Sequence, residues 1–119
     1  MLLSEYLERY EDPGSGMTQA QRLQVLLDTE NLLRSHLHGA LQVPEEALPG
    51  VKTQDGEAML PAPYDRLYVY ALEAAVCYAL GEMTRHNNAM ALYSQLLAHL
   101  DLAVMRHWAP GPGPDLRLV

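Results

Sequence analysis

The chain has 119 residues, 49% of them apolar, with seven Tyr, one Trp, no Phe and a single Cys. That length predicts one domain. Its formal charge of -7, from eight basic and fifteen acidic groups, excludes the basic footprint of nonspecific nucleic-acid binding or adsorption to anionic membranes.

Residues 2–11 predict two or three helical turns with Leu3, Tyr6, Leu7 and Tyr10 on one face. Asp12-Pro13-Gly14-Ser15-Gly16 then breaks the helix. A second helix starts at Thr18, where Thr18 and Gln21 have the spacing of a capping box. Leu23, Leu26, Leu27, Leu33 and Leu37 follow with helical period, Glu30 falling in the gap. Gly39 is the predicted stop.

Residues 41–62 carry Pro44, Pro49, Gly50, Gly56 and Pro61, so no helix is expected there. Asp55-Gly56 between Val51-Lys52-Thr53 and Ala58-Met59-Leu60 signals a short β-hairpin or an ordered loop. A connector this long in a small domain is more often functional than idle.

Pro63 suits the first position of a third helix, and Asp65 complements its dipole. Tyr64, Tyr68, Ala71, Ala75 and Tyr78 recur with helical period, while Leu67, Val69, Leu72, Val76, Ala79 and Leu80 fill most other positions. A helix this apolar all round is buried on more than one side. In so short a chain, part of that surface is expected to be covered by a neighbouring subunit. Gly81 ends or kinks the helix. A fourth helix is predicted from about Asn87 or slightly earlier to Trp108, with Ala89, Leu92, Tyr93, Leu96, Leu100, Ala103 and Val104 inward. Asn87-Asn88 are its candidate caps, or alternatively a bridge to a partner. Residues 110–119, rich in Pro and Gly, predict an extended tail ending in apolar residues.

The fold expected is therefore mainly α. It is a small helical bundle on a long antiparallel helix hairpin, with residues 1–109 as one domain, a loop or β-hairpin insertion over 41–62, and an extended tail over 110–119. No apolar run is long enough for a membrane span, and residues 1–5 lack the basic and apolar stretches of a leader. Cys77, in an apolar run, reads as a small buried hydrophobe of a reducing compartment.

Chemistry finds little support. His36 and His38 point about 160° apart on a helix, His99 and His107 are too distant for one ion, and one Cys cannot build a thiolate site. No nucleophile–base pair, nucleophile elbow or phosphate loop is present. The expectation is no enzyme, no cofactor and no metal.

One run is more specific. Pro63-Tyr64, Leu67-Tyr68, Tyr70, Leu72 and Ala74 are followed by Gly81-Glu82, Arg85 and Asn87-Asn88-Ala89-Met90-Ala91-Leu92-Tyr93. In order and spacing this resembles a small protein encoded near the portal and capsid genes of siphophages and prophages, with His86 where that family carries an aromatic. The resemblance spans residues 60–110 and implies a head–tail adaptor at the virion head–tail interface. Such a protein forms a homo-oligomeric ring, docks on the portal protein, meets a stopper or tail-interface protein, and passes DNA only as cargo. Tyrosine favours wet contacts. The contact residues expected are Tyr64, Tyr68, Tyr70 and Trp108, with the tail residues Asp115, Leu116, Arg117, Leu118 and Val119 available for extended pairing. The rival readings are a small helical interaction or regulatory module unrelated to virions and, third, a metal-dependent helical enzyme.

Overall fold

The computed structural model describes residues 1–43 and 52–107. It is a mainly α-helical bundle of four helices in chain order: α1 (Leu3–Arg9), α2 (Gln19–Gly39), α3 (Arg66–Ala79) and α4 (Met83–His107). Residues 108–119, and with them the predicted tail, lie outside the described residues.

α1 buries Leu3, Tyr6 and Leu7, spaced three and four apart so that they share one side. Beyond it, the Asp12 carboxylate accepts from the amides of Gly14 at 3.0 Å and Ser15 at 2.8 Å and pairs with Arg22. That turn aims the chain into α2. There the capping box forms as the spacing predicts: Gln21 N donates to Thr18 Oγ1 at 3.1 Å and Thr18 N to Gln21 Oε1 at 2.9 Å. α2 buries Leu26, Leu27, Leu33 and Leu37, together with Glu30. It ends at Gly39, where the glycine predicts a stop, and the left-handed reversal follows at Gln42, φ 57°. The Val43 amide then donates to Leu37 O at 2.9 Å, and the His38 ring to Val43 O at 3.0 Å.

Val51 of the anticipated β-hairpin lies outside the described residues, and from Lys52 onward no second arm pairs with a first. The segment pairs instead with the start of α1. Leu2 and Glu57 form an isolated antiparallel bridge, and Leu3 N donates to Gly56 O at 2.9 Å. Asp55 accepts from the Ser4 amide at 2.9 Å and its hydroxyl at 2.6 Å. The side-chain amide of Asn31 pairs with both backbone groups of Lys52, at 2.9 and 3.0 Å.

Pro63 is not the first helical residue. It follows a cis Ala62–Pro63 bond within a turn, and α3 begins at Arg66. α3 ends in a Schellman arrangement: Glu82 N donates to Cys77 O at 2.9 Å, and Gly81 N to Tyr78 O at 3.0 Å. Gly81 stands at φ 75°, a conformation that penalises any residue with a Cβ. α4 then packs back along α3, while α2 covers another side of α3 and α1 lies on α2. Because α4 starts at Met83, Asn87 and Asn88 sit inside it, exposed, and cap nothing.

The core joins Leu67, Tyr68, Leu72 and Val76 of α3 to Leu26, Leu33 and Leu37 of α2, Leu3 of α1, and Leu100 and Val104 of α4. Within it lies Glu30, 1% exposed. Its carboxylate accepts from the Tyr68 hydroxyl at 2.8 Å and the Met59 amide at 3.0 Å. The same hydroxyl accepts from Leu60 N at 3.2 Å. A buried carboxylate without partners costs several kcal/mol. These bonds make it tolerable and fasten residues 59–60 to α2 and α3. At the edge of the core, His36 on α2 reaches Asp101 on α4 at 2.7 Å.

Burial raises the Glu30 pKa, while its bonds to Met59 and Tyr68 pull it down. The folded state thus holds this proton more tightly than the unfolded chain. Its contribution is full below the ordinary carboxyl range and is lost as pH rises through the raised value. The stability of the natural chain relative to Glu30→Gln should therefore fall as pH climbs from about 4 towards neutrality. Urea unfolding across that range measures it, and a flat difference would contradict the assignment.

Candidate protein-interaction surface

The tyrosines of the α3 segment separate by role. Tyr68 is fully enclosed and its hydroxyl is held by Glu30 and Leu60, so it serves the core and is not available to a partner in this fold. Its ring meets Tyr6 of α1 at 5.2 Å between centroids. Tyr64 is half-buried against the core. Tyr70 is half-buried as well, but lines a groove of about 350 Å³ between α3 and α4, with Val69, Glu73, Arg85, Asn88, Ala89 and Leu92. Trp108 and the residues from Asp115 to Val119 lie outside the described residues.

The surplus of apolar surface expected on α3 is mostly absorbed within the chain, since Leu67, Tyr68, Leu72, Ala74, Val76 and Cys77 are all buried. On α3 itself Tyr78 and part of Val69 stay uncovered, and more uncovered surface lies on α4. Leu92, expected inward, is 46% exposed, and Met83 and Met90 are exposed to a similar degree. From Met90 to His99 no residue of α4 is fully buried; Tyr93, Leu96 and Leu97 are half-covered. Met83, Met90 and Leu97 recur every seven residues and so share one side of the helix.

The groove is fixed electrostatically by Glu73. It accepts from the Tyr10 hydroxyl of α1, from the Cys77 thiol at 3.3 Å and from Arg85 of α4 at 3.1 Å. The Tyr10 bond is the largest cause holding Glu73 below the usual carboxylate range. Arg85 also pairs with Glu82 at 2.7 Å. Tyr10 is pushed well above the ordinary phenol range by burial and then by Glu73, and Tyr6 by burial and Asp65. Both hydroxyls are thus protonated donors at neutral pH and offer no general base. His86, in the place of the aromatic, still supplies a ring contact: it meets Tyr78 edge-on at 5.5 Å and donates from Nδ1 to Ala74 O at 2.7 Å.

Among the described residues, no three His, Cys, Asp or Glu side chains are placed to hold a metal ion. No helix there is long and apolar enough to cross a membrane. Sequence reasoning missed the exposed side of Leu92, which shares the helical period of buried residues, and the link from Tyr10 to Glu73, which no local spacing announces. No protein-family model matches the chain, and neither a curated protein nor a solved structure matches it.

Two outcomes follow from this geometry. Burial, then Glu73, push the Cys77 thiol up, and the side chain is enclosed. A thiol reagent at mildly alkaline pH should label Cys77 only as fast as the chain unfolds, whereas rapid labelling of the native chain would show an open helix pair. Arg85→Ala, in contrast, should cost no more than about 1 kcal/mol in denaturant unfolding, because its pairs are solvent-exposed.

Proposed function

We propose that this chain acts by assembly, as a head–tail adaptor subunit that forms a homo-oligomeric ring, docks on a portal protein and presents a surface to a stopper or tail-interface protein. The observation that carries the proposal is how the resemblance-bearing residues divide. Leu67, Tyr68, Leu72, Ala74 and Ala89 are buried and build the helix pair. Tyr70, Arg85, Asn88 and Leu92 converge on one groove, while Asn87 and Met90 are exposed on the other side of α4. Residues spent on packing explain a fold. Residues gathered on an open, partly apolar groove are what a contact surface needs, since aromatic and Arg anchors in a hollow supply most interface energy.

The methionine side of α4, which faces away from the groove, offers a second contact of the same kind. Methionine is unbranched and adapts to irregular partner surfaces, and a seven-residue recurrence suits packing against another helix. The contacts proposed are the groove about Tyr70, the half-buried Tyr64 and, for the portal, Trp108 and the tail from Asp115 to Val119.

Met90→Asp combined with Leu92→Asp should change stability by no more than about 1 kcal/mol, as both side chains are exposed, yet abolish ring formation and portal binding in mass photometry of the mixed proteins. Undiminished assembly would sink the groove as the contact. Removal of residues 110–119 should leave the circular dichroism melt unchanged and weaken portal binding; equal binding would remove the tail from the interface.

A further inference from the structure

A second concavity lies on the other side of α3. It has a volume of about 250 Å³ between α1 and α3, and Tyr6, Arg9, Tyr10, Asp65, Arg66 and Val69 line it. Arg9 belongs to the last turn of α1 and Arg66 to the first turn of α3. Neither guanidinium has a hydrogen-bond or ion-pair partner among the described residues. Other arginines are committed: Arg22 to Asp12, Arg85 to Glu73 and Glu82. The one carboxylate at the cavity, Asp65, accepts from the Tyr6 hydroxyl at 3.2 Å. Two positive groups and one negative leave the rim locally positive, in a chain whose formal charge is -7.

The floor is apolar, made by the Tyr6 and Tyr10 rings and Val69. Val69 is also shared with the α3–α4 groove, so the two hollows meet there. The combined track runs from Arg9 and Arg66, across Val69 and Tyr70, to Leu92. From Arg66 to Glu73 along α3 is about 10 Å at 1.5 Å per residue, which is the reach of about three extended residues.

We infer that this track docks an extended acidic segment of a partner protein, with a carboxylate on Arg9 and Arg66 and an apolar side chain in the hollow between Val69 and Leu92. Guanidinium forks match carboxylates with directed, charge-assisted bonds. A nucleic acid would bring a continuous run of phosphates to a chain that is acidic overall. This rests on the assembly reading only for the identity of the partner. Ring formation is read separately by mass, so the two can fail independently.

The test is fluorescence anisotropy of the full chain with a labelled peptide of alternating Glu and Leu. A Lys/Leu peptide and a single-stranded oligonucleotide of equal length serve as comparisons. Saturable binding of the Glu/Leu peptide is expected, weakened by added salt and by about tenfold or more in Arg9→Gln/Arg66→Gln. Neither substitution removes an internal bond, and a melt confirms that the variant folds. If it does not fold, the peptide preference and salt dependence of the natural chain decide. Absent binding of the Glu/Leu peptide, equal binding by a folded variant, or tighter binding of the Lys/Leu peptide or the oligonucleotide would overturn the proposal.

Discussion

The fold turns on a carboxylate in the wrong solvent. Glu30 sits on the face of α2 that meets α3, where a leucine would satisfy the helical pattern. Its oxygens are taken by the Tyr68 hydroxyl and the Met59 amide, and Tyr68 in turn accepts from Leu60. Three separate parts of the chain therefore share one small polar cluster inside the core. Breaking one member leaves its partners buried and unpaired, which costs about 1–3 kcal/mol for each neutral group. An apolar contact could slide by a turn, but a cluster with named donors and acceptors cannot. The register of α2 on α3, and the path of residues 59–60 across them, follow from it.

That cluster explains why the tyrosines are unequal. The absence of Phe makes every large ring except the Trp a carrier of a hydroxyl that must be satisfied or left wet. Tyr68, Tyr6 and Tyr10 each find a carboxylate, on Glu30, Asp65 and Glu73. Two of these bonds tie α1 to the α3 segment, and the third ties α3 to α2. A helix that looks too apolar to stand alone is thus wrapped by its own chain. Tyr78 and Val69 of α3 still stand outward, and further uncovered apolar surface lies on α4, at Met83, Met90 and Leu92. For the proposed assembly this shifts the contact from the tyrosine face itself to the groove beside it.

Much of this was legible in the residues. The four helices, the Thr18–Gln21 box, the buried leucines of α2 and the glycine reversal at Gly81 all follow from local spacing and backbone preference. The misses have a common cause. Gly39 does end α2, but the Val43 amide and His38 ring place the left-handed reversal at Gln42. Pro63 resembles a helix start, but the turn held by Pro61 O delays the helix to Arg66. Asn87 and Asn88 resemble caps, but the Gly81 reversal launches α4 four residues earlier. Each is a choice between two valid local signals. The interaction surface was the least legible part, because Leu92 carries the period of a core residue and Arg9 and Arg66 meet only once α1 folds onto α3.

The account's central claim is that the chain closes its own core through Glu30 and Tyr68, leaving the groove beside α4 free for a partner. Hydrogen exchange of the isolated chain tests it most directly. The Met59 and Leu60 amides, although in an irregular segment, should exchange only through global unfolding, with protection matching that of α2 and the core of α3. Exchange of both at the rate of an exposed loop would mean that the cluster forms only when a neighbouring subunit is present, and would contradict the account.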